Sequence, residues 1–406
     1  MNGLHPTCKD LSKLRVAIVH YWFVGRAGGE RVVEAIAEVF PQADLFALIA
    51  DEGQLAPILQ SRQLRTSFLQ HFPGARRFHR HFLMLHPLAL EQFDLSGYDL
   101  VVSSESGPAK GVVTSANTCH VCYCHSPMRY IWDMYPRYRK EMNPIVGAIF
   151  SLAAHYMRLW DFASAGRVDH FVANSRYVSS RISKLYRRES VVIYPPVDTF
   201  AGNLQDSTGE YYLAAGRMVD YKRFDLAVRA CTQLRRQLKV IGDGPELRRL
   251  RRMAGPTVEF LSAPGDHELR NYMTRCRALL FPGEEDFGIV PVEVQSCGRP
   301  VIAYGTGGVL ETVRGLFPGE TLHPEATGVF FTEQTPSDLV DAILRFEALE
   351  PDFHREAIRE HALKFDRSRF KTEFSAFITE ALRQFRSTRL PPWNDEPAKA
   401  DAKAQE

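Results

Sequence analysis

The chain predicts an α/β protein built as two doubly wound layers, and three observations carry that expectation. Short apolar runs, the first at residues 14–20, have the length and continuity of buried parallel strands. Helical segments lie between these runs, the alternation that covers both faces of a parallel sheet with helices. A polar, glycine-containing stretch at 199–210 separates two such series and reads as the connection between domains.

Taken in order, the run at 14–20 leads past Gly25, Gly28 and Gly29 into a helix expected from about 30 to 40. Runs at 44–49, 100–103, 118–124, 171–173 and 191–193 read as further strands of the first layer. The second layer comprises 211–215, 238–241, 258–261, 278–281 and 301–303, with helices near 337–347 and 370–386 closing it. The expected organisation is a first domain over 1–200, a second over 208–368, and a closing helix over 369–388. A Pro-, Ala- and charge-rich tail over 389–406 has the composition of a disordered segment.

At 406 residues, domains of roughly 150 residues give two or three units with room for a sizeable core. A net charge of +2 exerts no global pull toward nucleic acid. Charge is nevertheless uneven. No acidic residue occurs from Gly53 to Leu90, where Arg62, Arg65, Arg76, Arg77 and Arg80 alternate with Phe68, Phe72, Phe78, Phe82 and Met84. Such a segment, 62–85, suits peripheral contact with an anionic membrane surface or a pyrophosphate-bearing acceptor. An ordinary basic helix pair with its aromatics in the core fits equally well. The apolar run at 145–160 is too short and too interrupted to span a bilayer, which needs about 20 residues. No apolar signal region precedes residue 14, and seven cysteines, an odd number, suit reduced thiols. The expected location is therefore cytoplasmic, at most peripheral on the inner membrane face.

Chemistry concentrates after expected strand ends. In Phe281-Pro-Gly-Glu-Glu-Asp-Phe-Gly-Ile-Val-Pro-Val-Glu293, a Pro-Gly turn precedes a helix opening near Gly288, with Pro291 tolerated in the first turn. The amides of Gly288, Ile289 and Val290 and the helix dipole there favour an anion. Glu285 at the mouth and Glu293 about one turn inside can each take sugar hydroxyls; solvated acids before a packed helix are the plainer alternative. Arg217 and Lys222, in Gly216-Arg-Met-Val-Asp-Tyr-Lys222, can converge on a diphosphate. Gly242-Asp-Gly244 is a tight turn without the third glycine of a dinucleotide fingerprint, Pro245 starting the helix instead. Gly28 and Gly29 permit close approach of a ligand, or simply turn the chain. His125 ends the strand at 118–124, where α/β folds place ligands. Cys122 and Cys124 share one face of that strand and Cys119 the other, so no zinc site is expected. No two aspartates stand two apart anywhere.

The Glu285-x7-Glu293 pair in its Pro-Gly, Phe-Gly and Cys-Gly-Arg-Pro-Val frame resembles the donor-site signature of retaining glycosyltransferases of family 4. Gly216-Arg217-x4-Lys222, Gly242-x-Gly-Pro-Glu-Leu247, His125-Ser-Pro-Met-Arg-Tyr-x-Trp-Asp133, Val172-Ala-Asn-Ser175 and Val192-Ile-Tyr-Pro-Pro-Val-Asp198 resemble the same family. So does Ser103-Ser-Glu-Ser-Gly-Pro-Ala-Lys-Gly111, and the resemblance runs from about residue 14 to 386. It is most evident with mannosyltransferases that build bacterial O-antigen and exopolysaccharide. It implies the GT-B fold: two Rossmann-like domains facing across a cleft, with the C-terminal helix returning to the N-terminal domain. It implies hexose transfer with retention, mannose from GDP-mannose, to a lipid-linked or growing saccharide, with no metal or further cofactor and no nucleic-acid partner. By the same resemblance His125, Arg217, Lys222 and Glu285 form the catalytic set. Gly28, Gly29, Gly244, Phe287, Gly288, Ile289, Val290 and Glu293 meet the donor, while Arg129, Tyr130, Trp132 and Asp133 shape the acceptor side. Asp286 departs from the family, which more often has a small residue there. A nucleotide-sugar epimerase, a phosphorylase and a non-catalytic sugar-nucleotide-binding subunit remain the alternatives.

Overall fold

A computed structural model describes residues 11–388 apart from 27, 141, 201, 203, 205–208 and 263. The tail at 389–406 and much of the connection at 199–210 therefore lie outside the described residues. Two parallel sheets of seven strands each carry the chain. The front sheet holds β1 (Val16–Phe23), β2 (Asp44–Ala50), β3 (Leu64–Thr66), β4 (Leu100–Glu105), β5 (Cys119–Cys124), β6 (His170–Ala173) and β7 (Ser190–Val192), in the order β3-β2-β1-β4-β5-β6-β7. The rear sheet holds β8 (Tyr211–Ala215), β9 (Gln237–Ile241), β10 (Val258–Leu261), β11 (Leu279–Phe281), β12 (Val301–Tyr304), β13 (Gly315–Leu316) and β14 (Gly328–Phe331), in the order β10-β9-β8-β11-β12-β14-β13. The order reverses between β1 and β4 in the front sheet and between β8 and β11 in the rear sheet, where β14 and β13 invert once more at the edge. Ligand crevices in open α/β sheets form at the carboxyl ends of such switch points.

Sequence patterning explains why these elements bury. β1 is fully apolar where it is central, Val16 to Val19 being essentially inaccessible, as expected for a strand covered on both faces. Cys119 faces one core and Cys122 and Cys124 another, the alternation a pleated strand imposes. The short strands β3 and β13 and the strand β14 are additions to the sequence expectation. The helix after the Gly242 turn begins at Leu247, two residues beyond Pro245.

The two lobes are stitched where the chain crosses between them. Val197 N–H donates to the Phe365 carbonyl at 3.1 Å and Arg367 N–H donates to the Val197 carbonyl at 3.2 Å, so outgoing and returning segments run side by side. Asp366 accepts from Ser368 N–H at 2.8 Å and caps the last helix, Arg367–Ser387. That helix presents Phe370, Phe374, Ile378, Ala381 and Leu382, one face at helical spacing, to the front core around Tyr123. The C-terminal helix thus completes the N-terminal lobe.

Several buried polar groups make stability depend on pH. Burial pushes His86, His120 and His361 each down to about 4, so they stay neutral when the unfolded chain's histidines charge near 6.5. A depressed histidine subtracts stability as pH falls through that window, because the unfolded state then binds the extra proton. Burial pushes Glu105 up to about 7, against the pull of Lys110, and this carboxyl acts in the opposite sense. Glu293 and Asp286, also raised by burial, act with Glu105, and His125, pushed down to about 3, joins the three histidines and keeps the balance on their side. The thermal midpoint is expected to fall steadily as pH is lowered from 6.5 toward 4; a constant midpoint by calorimetry contradicts these burials.

Candidate active site

The rear wall of the cleft is built from loops at the carboxyl ends of β8, β9, β11 and β12, and glycines let these loops stack. A Cβ on Gly242 would strike the Gly216 carbonyl and one on Gly244 the Met218 carbonyl. A Cβ on Gly283 would come within 2.7 Å of Lys222 Cα, and one on Gly307 within 2.7 Å of the Glu285 carbonyl. Real side chains do not tolerate such distances, so the spacing of Arg217, Lys222 and Glu285 is set by backbone touching backbone. Gly244 therefore serves loop packing first.

Within this wall Lys222 Nζ lies 2.7 Å from Glu285 Oε1. Burial disfavours the ammonium, but Glu285 and Tyr221 outweigh it and hold Lys222 above its ordinary pKa. Arg217 is exposed and pairs with no carboxylate among the described residues. Facing it from the front lobe is Arg80; burial lowers the Arg80 pKa and the charge of Arg217 lowers it further. Gly288, at φ 93°, opens the helix Ile289–Ser296, and no side chain caps it. The left-handed φ requires glycine, and the first-turn amides are left for another partner. Cation, uncapped amides and dipole all favour an anion at this edge.

The front wall answers with a histidine and bare backbone. His125 Nε2 lies 2.8 Å from Ser104 Oγ, and a Cβ on Gly29 would come 3.7 Å from that same nitrogen. Burial pushes His125 down to about 3, so the imidazole is neutral and acts as a hydrogen-bonding group. A Cβ on Gly28 would lie 2.7 Å from Ile289 Cδ1, which brings the front glycines directly over the rear helix start. Glu293 is held across the cleft by Arg31 at 2.5 Å; burial raises its pKa and Arg31 opposes this. The cavity beside it, lined by Arg31, Asp198, Asp266, Arg270 and Glu293, measures about 40 Å³. That is well below the roughly 150 Å³ that takes a benzene ring.

Other expected site residues are placed elsewhere. Phe287 is buried in an apolar cluster with Val197, Val292 and Phe365, so its ring is spent on packing between crossover and helix. Ile289 packs partly on that cluster and Val290 on the rear core. Trp132 Nε1 donates to buried Asp161 at 2.7 Å, and Tyr130 Oη donates to Met128 Sδ at 3.0 Å within one front-lobe cluster. Both rings are partly buried and engaged within the front lobe. Arg129 and Asp133 belong instead to a latch between the lobes. Arg181 donates to Asp286 Oδ1 and to Asp133 Oδ1, each at 2.7 Å, and to Ser126 Oγ at 2.9 Å. Arg129 reaches Glu284 at 3.6 Å and Asp286 at 3.8 Å, and Tyr177 Oη donates to Glu284 at 2.5 Å. Glu311 of the rear lobe accepts from the amides of Arg176 and Tyr177 at the start of a front-lobe helix. Arg181 and Glu311 carried no signal in the sequence, and Ser126 and Glu284 stood inside quoted motifs without being singled out. Asp286 carried one, as the carboxylate standing where a small residue is usual.

Residues 26–200 match the family model Glycosyltransferase Family 4, and residues 198–365 match Glycosyl transferases group 1. An uncharacterized glycosyltransferase of Methanocaldococcus jannaschii is 25% identical over 206 residues, 49% of this chain and 55% of that protein. Alpha-1,3/1,6-mannosyltransferase ALG2 of Saccharomyces cerevisiae is 23% identical over 335 residues, 68% of this chain and 64% of its own. The match thus spans about half the length of the first relative and under two thirds of the second. HepE of Anabaena, solved in complex with UDP, superposes with a TM-score of 0.64 over 90% of this chain and 100% of its own, at 16% identity. At that identity the likeness is one of fold. The fold is thus that of the GT-B glycosyltransferases, and each half of the chain matches a glycosyltransferase family model.

Proposed function

We propose that this protein is a retaining hexosyltransferase, moving mannose from GDP-mannose to a lipid-linked or growing saccharide in surface polysaccharide synthesis. The reading is supported by Lys222 on Glu285 with the charge of Arg217 acting on it, by the uncapped helix start at Gly288, and by Gly28 against Ile289 with Gly29 beside His125. In the proposed step the bond between the anomeric carbon and the β-phosphate oxygen breaks. The acceptor hydroxyl bonds to the same face, and its proton passes to the departing phosphate. Negative charge growing on the diphosphate is met by Arg217, Lys222 and the amides. Lys222 must exchange Glu285 for phosphate, which frees that carboxylate to hold the sugar. Neutral His125 orients a sugar hydroxyl, and Glu293 takes the ribose once Arg31 yields.

The mannosyltransferase name of the yeast relative supports mannose, whereas the UDP bound to HepE makes a UDP-sugar the competing donor. A thermal-shift panel with GDP, UDP and ADP sugars separates them. The preferred donor at about a hundred times its dissociation constant stabilises by about 2.7 kcal/mol. GDP-mannose is expected to give the largest shift; a larger shift with UDP-glucose overturns the mannose assignment.

Removing a transition-state donor typically costs about 3–4 kcal/mol of barrier. Lys222→Ala and Arg217→Ala are each expected to lower turnover on the order of a hundredfold or more. Wild-type turnover should persist in chelator, since cationic side chains and amides neutralise the diphosphate. Unchanged turnover in either variant, or a strict divalent-metal requirement, contradicts the mechanism.

A further inference from the structure

The helix Pro144–Ala165 leaves one face uncovered. Ile145, Ile149, Leu152, Tyr156 and Leu159 recur at spacings of three and four residues and are 75%, 65%, 72%, 42% and 61% exposed. The opposite face is already spent: Ala154 and Met157 pack with Met128 and Ile131, and Asp161, the only acid of the helix, is buried against Lys110. An uncovered apolar stripe of this size marks an interaction surface.

Charge around the stripe identifies its occupant. The adjoining segment His79–Leu85 packs on the helix through Leu83, and its neighbourhood exposes Phe78, Met84, Leu85 and Leu88. No acidic residue lies between Gly53 and Leu90. Arg77 on one side, and Arg139 and Lys140 in the helix just before Pro144, pair with no carboxylate among the described residues. Aliphatic side chains ringed by unpaired cations complement acyl chains beneath anionic headgroups. A second copy on the same face would bring like charges together. No described helix is long and apolar enough to cross a membrane.

We infer that the Pro144–Ala165 face seats the protein on an anionic lipid bilayer. The helix Tyr135–Lys140 links that face to the cleft, because Arg137 bridges to Asp220 in the loop that ends at Lys222. Docking thereby turns the cleft mouth toward the membrane, where a lipid-borne acceptor of the proposed reaction would arrive.

The test is co-sedimentation of the full chain with phosphatidylcholine vesicles, with and without phosphatidylglycerol, and with no donor or acceptor present. Its outcome is thus separate from that of the transfer reaction. Binding is expected with the anionic vesicles, weakened by salt, and reduced on the order of tenfold or more in Ile149→Asp/Leu152→Asp. Both positions are exposed, so the variant should keep the wild-type thermal midpoint. Should it not, Leu152→Trp provides a second reading, its emission shifting blue when anionic vesicles are added. Absence of vesicle binding, equal binding by the double variant, no shift in Leu152→Trp, or a wild-type dimer that the double variant dissociates would each overturn the inference.

Discussion

The close approach of the rear-lobe loops, possible only where glycine removes the Cβ, sets the positions of Arg217, Lys222 and Glu285. Gly283 lies against the backbone of Lys222, and Gly307 against that of Glu285, so neither charged residue can drift without moving its neighbouring strand. A sheet edge assembled this way is preorganised. The cost of gathering Arg217 and Lys222 and leaving the helix start at Gly288 uncapped is met in folding, before any substrate arrives. Lys222 is balanced by Glu285, and Arg217, with no carboxylate partner among the described residues, leaves positive charge for an incoming anion.

Opposite this edge, the lobes are held by charges whose burial makes them matter. Breaking a buried pair by deleting one partner typically costs about 3–5 kcal/mol, against about 0–1 kcal/mol for exposed pairs. Arg181, buried between Asp286, Asp133 and Ser126, belongs to the first class; Arg249 with Glu246 on the surface belongs to the second. Burial raises the Asp286 pKa while Arg129 and Arg181 oppose it. Asp286 next to Glu285 thus couples lobe position to the carboxylate that holds Lys222 one residue away. Arg31 on Glu293 adds a further contact between the lobes.

Much of the fold was legible because strand and helix signals are local. The runs at 211–215 and 258–261 coincide with β8 and β10, and most other expected strands differ only at their ends. β3 and β13 were missed because three and two residues cannot display a period. β14 begins on Gly328, which a sequence pattern reads as a turn, whereas here it allows contact with the Val301 carbonyl. The site was legible where chemistry and turn geometry share one short segment, as in Arg217 to Lys222 and Glu285 to Glu293. Long-range pairs were not: Arg181 and Asp286 stand 105 residues apart, and nothing near either one names the other. Trp132 and Tyr130 misled for the complementary reason, since an aromatic beside a motif looks the same whether it faces ligand or core.

The central claim is that this cleft recognises the diphosphate of a nucleotide rather than its base alone. Calorimetric titration of the wild-type protein with GDP and with guanosine tests it most directly. Charge-assisted hydrogen bonds contribute about 1.5–3 kcal/mol each, so two of them predict that GDP binds on the order of a hundredfold or more tighter. Equal affinity for the two would mean that Arg217, Lys222 and the Gly288 helix start do not hold phosphate, and the account would be wrong.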